Sequence, residues 1–198
     1  MFENIYRGKR VLITGHTGFK GSWLTSWLLR LGADVIGLSK DIPTNPSMFK
    51  ELKLENKIQH HTGDVRDFDS VYKIIKAEKP DFLFHLAAQA IVSTSYSDPL
   101  ETITSNVIGT THVLESLRLI NCQCIAIIIT SDKAYDNIEQ VWGYKENDVL
   151  GGKDIYSGSK GAAELVINSY TKSFFSDSNI RIGVGRAGNV IGGGDYSK

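Results

Sequence analysis

The sequence has 198 residues, with 22 lysines and arginines balanced by 22 aspartates and glutamates. That length buries a proper core and fits one large domain, and the even charge gives no reason to expect a nucleic acid, an anionic membrane or a polyacidic partner. Any phosphate site must be a local arrangement. No apolar run approaches a membrane span, Met1 to Arg10 lacks the apolar stretch of a signal peptide, and no repeat or linker marks a boundary. Cys122 and Cys124 are too close in sequence for an unstrained bond between them, so they read as reduced thiols of a cytoplasmic protein.

Along the chain, Arg10 to Thr14 (RVLIT) is a short β-branched run that predicts a buried strand. Gly15-His16-Thr17-Gly18-Phe19-Lys20-Gly21 follows and opens a helix predicted from Phe19 to Leu31, with Trp23, Trp27, Leu28 and Leu31 as its apolar face and Gly32 as its end. Gly15 suits the tight turn, Gly18 lets backbone N–H groups approach a pyrophosphate, and Gly21 lets helix and strand pack closely. Thr17, Phe19 and Lys20 are taken with this loop as ligand contacts, while the His16 and Lys20 side chains are expected at the surface. A second strand runs from Asp34 to Leu38 and leads to Ser39-Lys40, and a third covers Ile58 to Thr62. Asp64 and Val65 come next, Asp64 being either a ligand contact or the cap of a helix from Phe68 to Lys79 that Pro80 closes.

The fourth strand, Phe82 to Leu86, runs into the small residues of Leu86-Ala87-Ala88. A helix from Asp98 to Leu119 carries Asn106, which either lines a site or supports the strand ends. The strand Ile125 to Thr130 ends in Ser131-Asp132-Lys133, the helix Tyr156 to Phe175 begins with Tyr156-Ser157-Gly158-Ser159-Lys160, and the last strand is Arg181 to Gly185. Six strands separated by helices imply an α/β, doubly wound Rossmann-type parallel sheet with helices on both faces and ligands beyond the strands' carboxyl ends. Tyr156 and Lys160 share one helix face, and an ammonium beside a phenol lowers its pKa, which would make Tyr156 a base near neutral pH.

The G-x-x-G-x-x-G spacing of residues 15–21 resembles that of extended short-chain dehydrogenase/reductases. Gly15 to Trp23, Thr130-Ser131-Asp132-Lys133, Trp142-Gly143-Tyr144 and Arg186 to Asp195 together resemble CDP-glucose 4,6-dehydratases over essentially the whole chain. The resemblance implies an NAD-binding domain over residues 1–198 that carries the catalytic residues, followed in the family by a smaller substrate domain absent from this chain. It places Ser39 where an acidic residue usually holds the adenosine ribose; with Lys40 beside it, NADP stays open next to NAD. It assigns Asp64 and Val65 to the adenine edge, Leu86, Ala87 and Ala88 to the cofactor's pyrophosphate or ribose, and Lys160 to the nicotinamide ribose.

In the implied reaction hydride leaves C4 of glucose while Tyr156 takes the O4 proton and Ser131 bonds the reacting oxygen. Water then leaves across C5 and C6, with Asp132 as its acid, and hydride returns to C6. Lys133 stands where many dTDP-glucose dehydratases have glutamate, and is either a neutral base for the C5 proton or a cation that stabilises the enolate. Asn106 and Asn189 are implied substrate contacts, and Arg186 either assists or is structural. The family also implies a hydro-lyase of deoxysugar and lipopolysaccharide synthesis, a nucleotide-sugar substrate, no metal, and a homo-oligomer, dimer or tetramer, built on the helices 98–119 and 156–175. Two alternatives stay open: a sugar-nucleotide 4-epimerase and a non-catalytic dinucleotide-binding module.

Overall fold

Strands apolar on both sides need cover on both faces, and the chain supplies it through the helices of its crossovers. The computed structural model describes residues 2–120 and 122–196. In chain order the elements are β1 (Arg10–Thr14), α1 (Phe19–Arg30), β2 (Asp34–Ser39), α2 (Met48–Glu51), β3 (Gln59–Thr62), α3 (Phe68–Glu78), β4 (Phe82–His85), α4 (Val92–Ser97) and α5 (Pro99–Ile103). A π-helical turn (Thr104–Ile108) joins α5 to α6 (Gly109–Ile120), and β5 (Cys124–Ser131), α7 (Ile155–Tyr170), a second π-helical turn (Thr171–Phe175) and β6 (Ile180–Ala187) complete the chain. The six strands are all parallel in the order β3-β2-β1-β4-β5-β6. The order reverses at β1, which lies between β2 and β4, the position at which open α/β sheets bind ligands beyond their strand ends.

Alternate residues of β1 enter different cores. Val11 and Ile13 pack with Leu28 of α1, Ala33 and Val35 on one face. Leu12 joins Val71 and Ile75 of α3, Val113, Leu114 and Leu117 of α6, and Ile167 of α7 on the other. Helix ends follow local chemistry. Gly32, at φ +80°, ends α1 in the left-handed region, Asp67 accepts from the Asp69 and Ser70 amides to start α3, and Asp98 caps α5 with Pro99 in its first turn.

Four expectations need correction. The single helix over 98–119 is two α-helices joined by the π-helical turn that holds Asn106, and the helix over 156–175 likewise ends in a π-helical turn. The Trp23–Trp27 face of α1 is not its buried face: both indoles are 48% exposed, and the helix turns Gly21, Ser22, Thr25 and Leu28 inward. Small residues are needed because α1 lies so close to the glycine loop that a Cβ on Gly21 would meet the Gly15 carbonyl oxygen. Trp23 instead donates its indole N–H to the Gly193 carbonyl at 3.0 Å, and Trp27 packs on Phe2. Lastly, Asp67 rather than Asp64 caps α3. Cys122 and Cys124 are free thiols, and no helix among the described residues is long and apolar enough to cross a membrane.

Candidate active site

The turn after β1 is built on backbone contacts that admit no side chain. Gly15, at φ +77°, lies so close to the turn after β4 that a Cβ would come within 2.7 Å of the Ala87 nitrogen, which puts Leu86-Ala87-Ala88 beside the glycine loop. The Ala87 amide also donates to Thr14 Oγ1 at 3.2 Å. Gly18 differs from its two partners: its φ is −73°, and a Cβ there would make only ordinary contact. Nothing in the fold requires glycine at 18, so its bareness leaves room for something outside the chain. Gly18 is also the N-cap of α1 and no side chain caps that helix, so its first backbone N–H groups have no side-chain partner at the cap. Phe19 and the exposed Lys20 begin the helix beside it.

At the far end of this loop several assignments change. His16 is fully buried rather than exposed, hydrogen-bonded through Nδ1 to Ser39 Oγ at 2.9 Å and through Nε2 to His60 Nδ1 at 2.7 Å. Burial, with His60 adding, lowers its pKa to about 4, so the ring is neutral. Its ring lies against Gly37, where a Cβ would come within 2.4 Å of it. Ser39 is therefore committed to His16, and also accepts from the Thr17 amide at 3.4 Å, so it is not free to hold a ribose as expected. Thr17 Oγ1 donates to the Asp41 carbonyl at 2.7 Å. The Asp64 carboxylate accepts from Arg66 Nη2 at 2.6 Å and Nε at 2.9 Å, which holds it below the usual carboxylate range. Glu101 takes Lys40 at 2.8 Å and approaches Arg66 at 3.8 Å. Buried Val65, for its part, accepts from His112 through its carbonyl at 2.9 Å.

Beyond β5 the catalytic candidates do meet. Asp154 caps α7 by accepting from the Ser157 amide and hydroxyl, and this sets Tyr156 in the first turn, facing the end of β5. There the Ser131 hydroxyl is the neighbour that favours ionisation of the Tyr156 phenol. Ser131 also donates to Asp132 Oδ1 at 3.1 Å and accepts from the Lys133 amide at 3.2 Å. Lys133 Nζ lies 3.9 Å from Asp132 Oδ1, and the side chains are 43% and 54% exposed respectively. Asp132, Lys133, Tyr135, Tyr144, Asp154 and Ser157 are among the residues lining one open cleft.

The expected depression of Tyr156 by Lys160 is not found. Burial raises the phenol's pKa, Asp132 and Asp154 raise it further, and Ser131 opposes them. Lys160 Nζ lies over the ring face, 5.8 Å from its centroid. Lys160 is itself buried, and burial, with Lys20 adding, pushes its ammonium from 10.5 down to about 8. Between those values the unfolded chain holds more protons than the folded one, so this group's contribution to stability rises with pH across that window, and its cost is full below about pH 8. Lys160→Met, which keeps the stem without the charge, is expected to be more stable than wild type at pH 7 by at most about 3 kcal/mol. Urea unfolding of both proteins across pH 7 to 10.5 checks this: the gap should shrink as pH rises, and a less stable variant at pH 7 would contradict it.

The family comparison agrees with this geometry. The family described as GDP-mannose 4,6 dehydratase matches residues 12–186, from β1 through Arg186. The chain belongs to the GDP-mannose 4,6 dehydratase family. It is 50% identical over 201 residues to the CDP-glucose 4,6-dehydratase of Salmonella typhimurium, covering 99% of this chain and 56% of that protein. It is 32% identical over 183 residues to the CDP-paratose 2-epimerase of Salmonella typhi, covering 83% of this chain and 54% of that one. Among solved structures, the Thermus thermophilus UDP-glucose 4-epimerase complex with NAD is similar, with a TM-score of 0.77 and 25% identity, covering 89% of this chain and 54% of that chain. The chain thus spans about half the length of the curated relatives it matches.

In this GDP-mannose 4,6 dehydratase family member, Asn106 is a support rather than a substrate contact. It is buried, donates to the Gln89 carbonyl at 3.0 Å and Ser159 Oγ at 2.8 Å, and accepts from the Gln89 amide at 2.9 Å, tying the loop after β4 to α7. Asn189 is exposed just past β6, and its neighbour Gly188 faces Asp132, with a Cβ there lying 3.5 Å from Oδ2. Arg186 is structural, paired through two nitrogens with buried Glu164. Glu164 was missed in the sequence, although it continues the 156–160 stripe by four residues. His85, buried between Thr14 and Thr110 and lowered by burial to about 3, was also missed. Among the described residues no group of three or more histidine, cysteine or acidic side chains is placed to hold a metal.

Proposed function

We propose that this chain holds the dinucleotide site and the reacting side chains of a CDP-glucose 4,6-dehydratase, a hydro-lyase that converts CDP-glucose to the 4-keto-6-deoxy sugar nucleotide. The observation that carries the reading is the Ser131-Asp132-Lys133 turn set against Tyr156. It offers a carboxylate and an amine beyond the Ser, Tyr and Lys that a 4-epimerase needs. The 50% identity to the Salmonella typhimurium enzyme supports it.

The bare Gly18, the uncapped start of α1 and the close-packed Gly15 and Gly21 fit a dinucleotide's pyrophosphate. NAD is the cofactor: Lys40, the residue placed to meet a 2′-phosphate, is occupied by Glu101, and the similar Thermus structure is a complex with NAD. When bound, NAD supplies the acceptor for hydride from C4 and the donor of hydride to C6. Ser131 orients the O4 hydroxyl and Tyr156 takes its proton. Lys160 would hold the nicotinamide ribose. Lys133 takes the C5 proton or steadies the enolate, and Asp132 protonates the C6 hydroxyl as it leaves as water. Asn189 lies on the side of the crevice where the sugar nucleotide enters.

A second, substrate-gripping domain completes the pocket in the full-length protein. A homo-oligomer, dimer or tetramer, forms through the helical segments 98–119 and 156–175, whose outer faces expose Leu100, Ile108, Leu165 and Phe174. The protein works in the cytoplasm and feeds deoxysugar synthesis for lipopolysaccharide.

The test incubates the full-length protein with CDP-glucose and NAD, and follows the alkali-induced absorbance of a 4-keto-6-deoxy product beside dTDP-, UDP- and GDP-sugar controls. Product from CDP-glucose supports the reading; no product from any sugar, despite NAD binding, overturns it. Lys133→Ala is expected to slow solvent-hydrogen exchange at C5 by about a hundredfold or more, and exchange at the wild-type rate would remove Lys133 from that step.

A further inference from the structure

Three segments carry the reacting groups: the end of β5 with Ser131, the start of α7 with Tyr156 and Lys160, and the end of β6 leading to Asn189. One buried carboxylate touches all three. Glu164, one helical turn past Lys160 and 6% exposed, accepts from Thr130 Oγ1 at 2.7 Å, and Thr130 immediately precedes Ser131. It also accepts from Arg186 Nε at 2.8 Å and Nη2 at 2.5 Å. Thr130 and Arg186 are register partners across β5 and β6, so the carboxylate spans the two strand ends from the helix. Arg186 extends the arrangement: its guanidinium lies 4.5 Å from the Tyr135 ring centroid, and its Nη1 donates to the Glu146 carbonyl at 3.1 Å. Tyr135 directly follows the short 3₁₀ turn of Asp132 to Ala134.

A buried ion pair adds little net stability over an apolar pair of the same volume, because both charges are withdrawn from water. What this pair contributes is direction, since a two-nitrogen grip on a carboxylate fixes angles as well as distance. We propose that Glu164 and Arg186 are positioning residues that hold the Ser131 strand end against Tyr156 and the Lys133 turn against the cleft. The inference rests on the dehydratase reading for its consequence in turnover, but the alignment it describes can be read without turnover.

The groups facing Tyr156 are Ser131 and Asp132 from the end of β5, and Asp154 and Lys160 from its own helix. Of these, only Ser131 favours the phenolate, to which its hydroxyl can turn from Asp132, so letting Ser131 drift should raise the pH at which Tyr156 ionises. The experiment uses the full-length protein and two variants, Glu164→Gln and Thr130→Val; the second keeps the ion pair and a β-branched strand residue while removing only the hydroxyl. Tyr156 is titrated by tyrosinate absorbance, as the difference between each protein and its Tyr156→Phe counterpart. Both variants are expected to move the titration to higher pH, and to lower kcat with CDP-glucose about tenfold or more while KM stays within about twofold.

An unchanged or lower titration overturns the proposal, however far the melting temperature falls, because a merely structural pair changes only the melt. If Glu164→Gln does not fold, Thr130→Val decides alone. If the wild-type protein does not turn over CDP-glucose, the dehydratase reading fails, and the titration still decides the positioning.

Discussion

Replacing Tyr156 by phenylalanine is expected to lower turnover of CDP-glucose about a thousandfold, within the range that a positioned proton-transfer group contributes. The fold should not change. The ring is 8% exposed and phenylalanine keeps its packing, while Ser131 retains the Asp132 carboxylate and the Lys133 amide as partners. Because burial raises the phenol's pKa, wild-type turnover is expected to climb with pH as the phenolate forms, and that limb should be missing in the variant. Steady-state rates across pH, with a thermal melt of both proteins, check this. A variant retaining more than about a tenth of wild-type turnover would remove Tyr156 from the proton transfer.

Gly21→Ala is expected to have the largest effect on binding. Its Cβ would lie 2.2 Å from the Gly15 oxygen and 2.5 Å from the His16 Cα, and since both are backbone atoms, rotating a side chain cannot relieve the contact. Either α1 or the loop must move, and the loop is the proposed cradle. The expected cost is about 3 kcal/mol of stability, a fall in melting temperature on the order of 10 °C for a chain of this size, and NAD affinity weaker by about a hundredfold. Gly158→Ala is the matched control, because it adds the same methyl to α7 where a Cβ meets nothing within 4 Å. It should be neutral or stabilising by up to about 1 kcal/mol, as alanine is the better helix former. Calorimetry of NAD binding to both variants separates the effects, and normal affinity in Gly21→Ala would mean that the loop is not the pyrophosphate cradle.

The strands were legible because central strands of a parallel sheet are buried on both sides, so their sequence is apolar without interruption; Val11, Leu12 and Ile13 are all fully buried. The placement of the glycine loop before α1 and of Tyr156 and Lys160 on one helix face was legible from spacing, but the pKa depression read from that spacing was not met, because burial of Tyr156 outweighs it. The other failures share a cause. A helix packed at backbone distance buries its smallest residues, so Trp23 and Trp27 marked the outside of α1. Asn106 and Ser39 were ligand contacts by family resemblance alone, yet each is committed to a neighbour distant in sequence, Ser159 and His16. Glu164 was hidden for the same reason, since its partners Thr130 and Arg186 come from two different strands. Polar residues that hold a site and polar residues that work in it read alike until the topology pairs them.

The strand order also sets a sequence of events during synthesis. β1 is made first, yet one of its edges stays open until β4 exists, because Thr14 and His85 are register partners 71 residues apart. At ribosomal speed that gap lasts roughly 4–14 s. Through that interval a strand buried on both faces presents an unpaired edge, and only β2, 20 residues further along the chain from Thr14 to Asp34, can cover its other side early. The nascent chain is therefore most prone to mispairing before the reacting residues have been made.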